Sequence, residues 1–288
     1  MAGPNEREKQ NRKRESRLVR PDLSALLGLC LSVGGILGGL VLEGGRVGDV
    51  AQITAALIVL GGTIGAVMLT TPFSIMSSAA GRLKLILMEQ SFAPSEIIDA
   101  IVVYAGKARK NGIVSLEQDA MNAEDPFLHK ALTLAVDGAE LQSIREMMQL
   151  EMRMETADAE IDARVFEAAG GYAPTIGIIG AVIGLIQVMK HLDDINKVGY
   201  GIAVAFVATI YGVGSANLFF LPVAQKIRLR TQQSIRIKEM MLEGVVSISQ
   251  GMNPRLIRRK LNAFIREHRE GKRWVLEQAQ SAVREASI

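Results

Sequence analysis

The residues that ordinarily carry catalysis or metal binding are few in this chain and stand in no usable pattern. There is one cysteine, Cys30, and three histidines, His129, His191 and His268, far apart and without metal-ligand spacing. A disulfide framework and a cysteine-based zinc site are therefore excluded. The run His191-Leu192-Asp193-Asp194 reads as a solvated helix end rather than a metal site. No Gly-rich loop ends in Lys-Ser or Lys-Thr, so no phosphate cradle of that type is expected. No nucleophile stands at a recognisable spacing from a base. The chain is expected not to be an enzyme, and to use no metal, no cofactor and no nucleic acid.

What remains is a stripe of small and hydroxyl residues inside one apolar run: Ala205, Thr209, Gly212 and Ala216. They share a helix face, and small residues let a second helix approach closely. The same run contains no carboxylate. Proton and cation paths through a membrane ordinarily carry an Asp or Glu as relay. Ion conduction here would thus require a carboxylate on a partner helix, and the stripe is expected to face that partner. A homo-oligomer with no transport role fits the same pattern.

The elements that must hold these residues follow from where charge is missing. The chain has 288 residues, 49% hydrophobic and 22% charged, with 28 Gly and a net charge of +3. Residues 23–42, 50–81, 168–189 and 198–225 contain no charged residue at all. A helix crosses a ~30 Å hydrocarbon core in roughly 20 apolar residues. Four such runs predict four membrane spans, the first of them retained rather than cleaved as a signal peptide. Of the 33 basic residues, 30 fall in segments 1–22, 73–172 and 224–288. The bias of Lys and Arg toward the cytoplasm places those three segments inside, with both termini. Gly34 with Gly38, Gly35 with Gly39, Gly61 with Gly65, and Gly180 with Gly184 are expected to pack helices together.

The fold class expected is an all-α integral membrane protein with four transmembrane helices. It has a basic cytoplasmic arm at 1–22 and spans at 23–42, 53–72, 173–192 and 200–223. Periplasmic loops lie at 43–52 and 193–199. A cytoplasmic helical domain fills 73–172 and a helical tail fills 224–288. Within the domain, Ile97, Ile98, Ile101, Val102 and Ala105 repeat with helical period. Gly112 reads as the C-terminal cap of that helix, and Ser115 with Gln118 as a capping box for the next. A further helix runs from near Pro126 to Gly138. The stretch 139–167 puts Leu141, Ile144, Met148 and Met152 on one stripe and is expected to continue into the third span as a rod projecting into the cytoplasm. In the tail, helices are expected over about 224–250, from Pro254, and around Trp274.

With these parts placed, the sequence resembles a known family. The residues that carry the likeness are Phe166 to Leu185 (FEAAGGYAPTIGIIGAVIGL), Ala205 to Gly212 (AFVATIYG) and Phe219-Phe220-Leu221-Pro222. Lys107 to Gly112 (KARKNG), Ser115-Leu116-Glu117 and Ala135-Val136-Asp137-Gly138 add to it. Together they are similar to the flagellar motor stator A subunits, the MotA/PomA group within the wider MotA/TolQ/ExbB family. The likeness covers roughly residues 22–265. It implies a ring of A subunits, a pentamer, around two B subunits. Each B subunit would have one span with an essential Asp and a domain that grips peptidoglycan. Ion flow past that Asp would turn the ring and push the rotor's switch protein, FliG.

The resemblance also assigns roles. Pro174 and Pro222 match the two prolines that couple ion passage to motion, and a proline does free a backbone carbonyl and permit a bend. Without the resemblance, Pro174 would simply start a helix and Pro222 kink one. Thr209 matches the hydroxyl residue near the partner's Asp, though a hydroxyl bonded back to its own helix is the plainer reading. Arg109 and Glu117, with Lys110 secondary, match the charges that engage the rotor. As a cation at one helix end and an anion in the next first turn, they would also complement helix dipoles.

Sodium-driven members of the family carry hydroxyls at three positions that here read Ala181, Ala208 and Thr209. A bare sodium ion needs several oxygens in place of its water shell, which two alanines do not supply. Proton coupling is the expectation. The competing readings are an ExbB/TolQ-like subunit energising a periplasmic or outer-membrane system, and a non-conducting membrane scaffold. Members of the first type typically have three spans and an outward N-terminus, unlike this chain.

Overall fold

The computed structural model describes residues 20–86, 88–89 and 94–264. Nearly all of them are helical. Four helices are long and apolar enough to cross a membrane: α1 (Leu23–Leu42), α2 (Val47–Thr70), and parts of two long helices over Leu141–Lys190 and Ile195–Ser249. Their charge-free windows explain this, since in hydrocarbon a helix satisfies its own backbone. Asp22 caps α1, its carboxylate accepting from the Ala25 N–H. Helix α2 contains a π turn at Leu57–Gly61. An antiparallel pair of two-residue strands joins Arg20–Pro21 to Met88–Glu89.

Helices α3 (Phe73–Ile86) and α4 (Pro94–Asn111) follow, then a short α5 (Glu117–Met121) and α6 (Pro126–Val136). Asp125 caps α6 by accepting from the Phe127 and Leu128 N–H groups. Helix α7 spans Leu141–Lys190 without interruption, so the Met-rich stretch and the third span form one element. Helix α8, Ile195–Ser249, is likewise continuous, carrying a π turn at Ala216–Phe220 where a break was expected near 224. It starts ahead of the expected position 200 because Asp194 caps it, accepting from the Asn196 and Lys197 N–H groups. A last described helix, α9, covers 254–264; Trp274 and the arm 1–19 lie outside the described residues.

The chain divides into two compact units, 1–91 with 157–230 and 92–156 with 231–288. The first holds the spans. Its packed centre is small: Ala79, Ala159, Ala163, Phe166, Ala224 and Ile227 form one cluster, and Ala55, Val59, Val207 and Ala208 another. Helix α1 buries none of its residues within the chain. The second unit has a conventional core in which Ile98, Ile101, Leu116, Leu132, Ile144, Met148, Met240 and Val245 are nearly inaccessible. Ile144, Met148 and Met152 line one side of α7 there, as their spacing predicts.

Gly112 and Gly138 both have positive φ, at 81° and 77°, and let the chain leave α4 and α6. Ser115 does not act as an N-cap. A 3₁₀ turn at Ile113–Leu116 places it inside the turn, where its hydroxyl donates to the Gly112 carbonyl at 2.6 Å.

Candidate functional site

In the first unit the spanning parts of α7 and α8 touch through small residues. A methyl group added at Gly177 would lie 2.9 Å from the Ala208 carbonyl oxygen and 3.1 Å from the Gly212 Cα. One added at Gly184 would meet the Ala205 nitrogen and the Gly201 oxygen at 2.8 Å. One added at Gly212 would lie 2.6 Å from the Ala173 oxygen. Backbone meets backbone along this line, so no side chain fits between.

This corrects the expectation for the small-residue stripe. Ala205 and Gly212 face α7 of the same chain rather than a partner, and Ala216 is also buried. A small-residue face specifies close approach but not which helix approaches. Among the glycines expected to pack helices, Gly180 and Gly184 do so, while Gly34, Gly35, Gly38, Gly39, Gly61 and Gly65 face open space among the described residues.

The expected ion-path residues separate accordingly. Ala208 is enclosed within this chain in the cluster with Ala55, Val59 and Val207. Ala181 and Thr209 are half-buried. The Thr209 hydroxyl donates to the Ala205 carbonyl at 3.2 Å, the back-bonded arrangement open to any helical threonine.

Pro174 does not start a helix; it sits inside α7. Lacking an N–H, it leaves the carbonyl of Gly170 without its helical donor. Gly170 is where the Leu221 side chain leans in, with its Cδ2 2.6 Å from the position a Gly170 Cβ would take. Leu221 closes the π turn by donating its N–H to the Ala216 carbonyl, and exposed Pro222 follows it. The two proline irregularities, far apart in sequence, therefore face each other across one helix contact.

One polar residue here was missed from sequence. The Tyr211 hydroxyl donates to the Val50 carbonyl at 2.7 Å and accepts from the Gln52 N–H at 3.3 Å, tying α8 to the irregular start of α2. A tyrosine within an apolar run is the available signal, since a buried phenol needs a partner.

Ion pairs flank the spans. The buried Asp22 carboxylate lies 2.6 Å from Lys226 Nζ and 2.5 Å from an Arg230 nitrogen, and accepts from the Ser24 hydroxyl. Burial works against its charge, but hydrogen bonds from Lys226, Ser24, Ala25 and Arg230 outweigh it and hold this carboxyl well below the usual range. Arg228 grips Glu160 through two nitrogens, at 2.9 and 3.0 Å, and Glu167 at 2.6 Å. Those bonds raise the guanidinium pKa further, and the Arg228 bond lowers that of Glu160. Buried Asp162 pairs with Arg82.

In the second unit several charges are matched: Lys107 with Asp119, Lys130 with Glu151, Lys238 with Glu155, Arg258 with Asp99, and Glu243 between Arg145 and Lys260. Arg109, Lys110 and Glu117 stand outside these pairs. All three are exposed, and among the described residues none has an ion pair or hydrogen-bonding side-chain partner. Gly112 and the 3₁₀ turn separate the end of α4 from the start of α5. Among the described residues no group of three His, Cys, Asp or Glu side chains is placed to hold a metal ion.

Comparison with known proteins accounts for this architecture. A model of the MotA/TolQ/ExbB proton channel family matches residues 119–240, and one of the Motility protein A N-terminal region matches residues 26–112. Motility protein A of Bacillus subtilis (strain 168) is 33% identical over 245 residues, 85% of this chain and 91% of that protein. Two solved structures share the fold. A chain of the C. jejuni MotAB structure gives a TM-score of 0.80 at 31% identity, with 84% of this chain and 95% of that one covered. A chain of the flagellar MotAB stator complex from Bacillus subtilis gives 0.78 at 33% identity, with the same coverage. With matches over most of both chains, in sequence and in fold, this multi-pass membrane protein belongs to the MotA/TolQ/ExbB proton channel family, in its Motility protein A group.

Proposed function

We propose that the chain is the A subunit of a flagellar motor stator, which forms an ion channel with a B subunit and turns proton flow into torque on the rotor. The observation that carries this reading is the pairing of four charge-free apolar runs with a fold matched to a MotAB stator complex. Nothing in those runs can relay a proton by itself, so the relay carboxylate comes from the B subunit's span. A pentamer of this chain around two B subunits fits a family whose ring turns about a central axle. The three basic segments place both termini on the cytoplasmic side.

In this reading Thr209 and Ala181 border the B helix, while Ala208 contributes by fixing the α7–α8 contact. Pro174 and Pro222 form a coupled hinge that passes the protonation state of the partner carboxylate down α7 and α8. Both helices contribute to both units, which gives the motion a continuous element to travel along. Arg109, Glu117 and Lys110 meet the rotor's switch protein. Exposed charges without internal partners suit a contact that is steered, fast and reversible. Proton rather than sodium coupling follows from the alanines at 181 and 208. The chain acts as a channel subunit and not as an enzyme.

The test is a swimming assay of Arg109→Glu and Glu117→Lys, each alone and with charge reversals on the rotor. Loss of swimming in the single variants, restored by the matching reversals, is the expected result. Normal swimming in both single variants would remove the rotor assignment.

A further inference from the structure

Beside Arg109, in the second unit, lies a half-open cleft of about 180 Å³. Its walls are Ala105, Ala108 and Ile113 from the α4 side and Ile248 and Met252 from the end of α8. Ala105 and Ile248 are buried, and the remaining apolar walls are half-exposed. At roughly 30 Å³ per water, the space matches one apolar side chain better than an isolated solvent site. Arg109 stands on the rim, with Lys110 next in sequence. Neither cation has an internal partner among the described residues, whereas Lys107 on the same helix is paired with Asp119.

We infer that this cleft is a socket for one apolar side chain of an acidic partner helix, whose carboxylate pairs with Arg109 as the apolar residue enters. The inference rests on the rotor-contact reading and adds a packing component to it. An electrostatic contact alone steers the encounter but resists load weakly, because solvent and salt screen exposed ion pairs. An apolar anchor in a desolvated pocket supplies the stronger part of an interface. The cleft's charge selects its occupant. The chain's own segment 265–288 carries Trp274, yet it has five basic against four acidic residues and so offers no acidic excess to the cationic rim.

The experiment uses the full-length chain in swimming cells. Ala108→Phe fills the cleft while Arg109 stays in the sequence, and a photoreactive benzoylphenylalanine at Asn111, exposed two residues beyond Arg109 and outside the cleft lining, reports what docks there. Loss of most swimming speed in Ala108→Phe, with proton entry measured by a cytoplasmic pH indicator unchanged, is expected. A cross-link from position 111 to the rotor protein that disappears with Arg109→Glu and with Ala108→Phe is expected alongside. Should Ala108→Phe fail to accumulate in membranes, Ser249→Leu narrows the same space and carries the same expectation. Normal swimming in a cleft-filled variant, with Arg109→Glu still immotile, overturns the socket and leaves the rotor contact standing. Normal swimming in Arg109→Glu as well brings down both. A cross-link to the chain's own 265–288 in place of the rotor also overturns the proposal.

Discussion

Asp22 is a charged residue committed to the fold. It caps α1, is buried, and binds two cations of α8, whereas Arg109 and Glu117 are exposed and bind nothing among the described residues. The difference decides what substitution does. Asp22→Asn keeps an acceptor for the Ala25 N–H but leaves Lys226 and Arg230 without an anion, at a cost of about 1–3 kcal/mol. A lower melting temperature of the detergent-solubilised protein is expected. The pH dependence follows from the depressed carboxyl. Its contribution is complete above the unfolded value near 4 and is lost as pH falls through the lower folded value. Melting temperature in the parent should thus decline below about pH 4 more steeply than in Asp22→Asn. Equal slopes would show that Asp22 is not charged in its pairs.

At the scale of the element, two features govern the spanning helices: the glycine contact between α7 and α8, and the paired proline irregularities. Backbone approaches at Gly177, Gly184 and Gly212 leave no room for a larger side chain. Gly212→Val is expected to cost about 1–3 kcal/mol by forcing the helices apart. Gly34→Ala, in open space on α1, should leave the isolated chain unchanged or slightly more stable, because Ala favours a helix over Gly by up to about 1 kcal/mol. Thermal unfolding of both in detergent checks the pair, and equal effects would show that the α7–α8 contact is not the tight one. The prolines act differently. Each removes a helical hydrogen bond, and Gly170 against Leu221 sets the two weakened turns in contact, the arrangement on which the proposed coupling rests.

For the whole molecule, the proposed conduction depends on a carboxylate this chain does not possess within its apolar runs. The path-lining residues proposed on this chain, Ala181 and Thr209, offer one side-chain oxygen between them. A proton requires only the partner's carboxylate and water, while sodium requires a cage of oxygens. Swimming is therefore expected to stop with a protonophore and to persist when sodium is withdrawn. The reverse outcome, speed following external sodium and ignoring the protonophore, would show that oxygens from elsewhere complete a sodium site.

Sequence alone determined the elements. Absence of charge marks a membrane helix because hydrocarbon tolerates little else, and the period of Ile98, Ile101 and Ala105 marks a buried face because helix geometry fixes it. It also settled that no carboxylate lies within the apolar runs, which is a property of composition. Tertiary structure decided the partners. Ala205 and Gly212 turned from a presumed partner helix to the chain's own α7, since a small-residue face fits any backbone that comes near. Ala208 moved into the interior for the same reason. That the charges at 109, 110 and 117 are exposed and stand outside the pairs made by Lys107 and Asp99 is visible only in the structure, because pairing is a matter of distance across elements and leaves no mark on spacing along the chain.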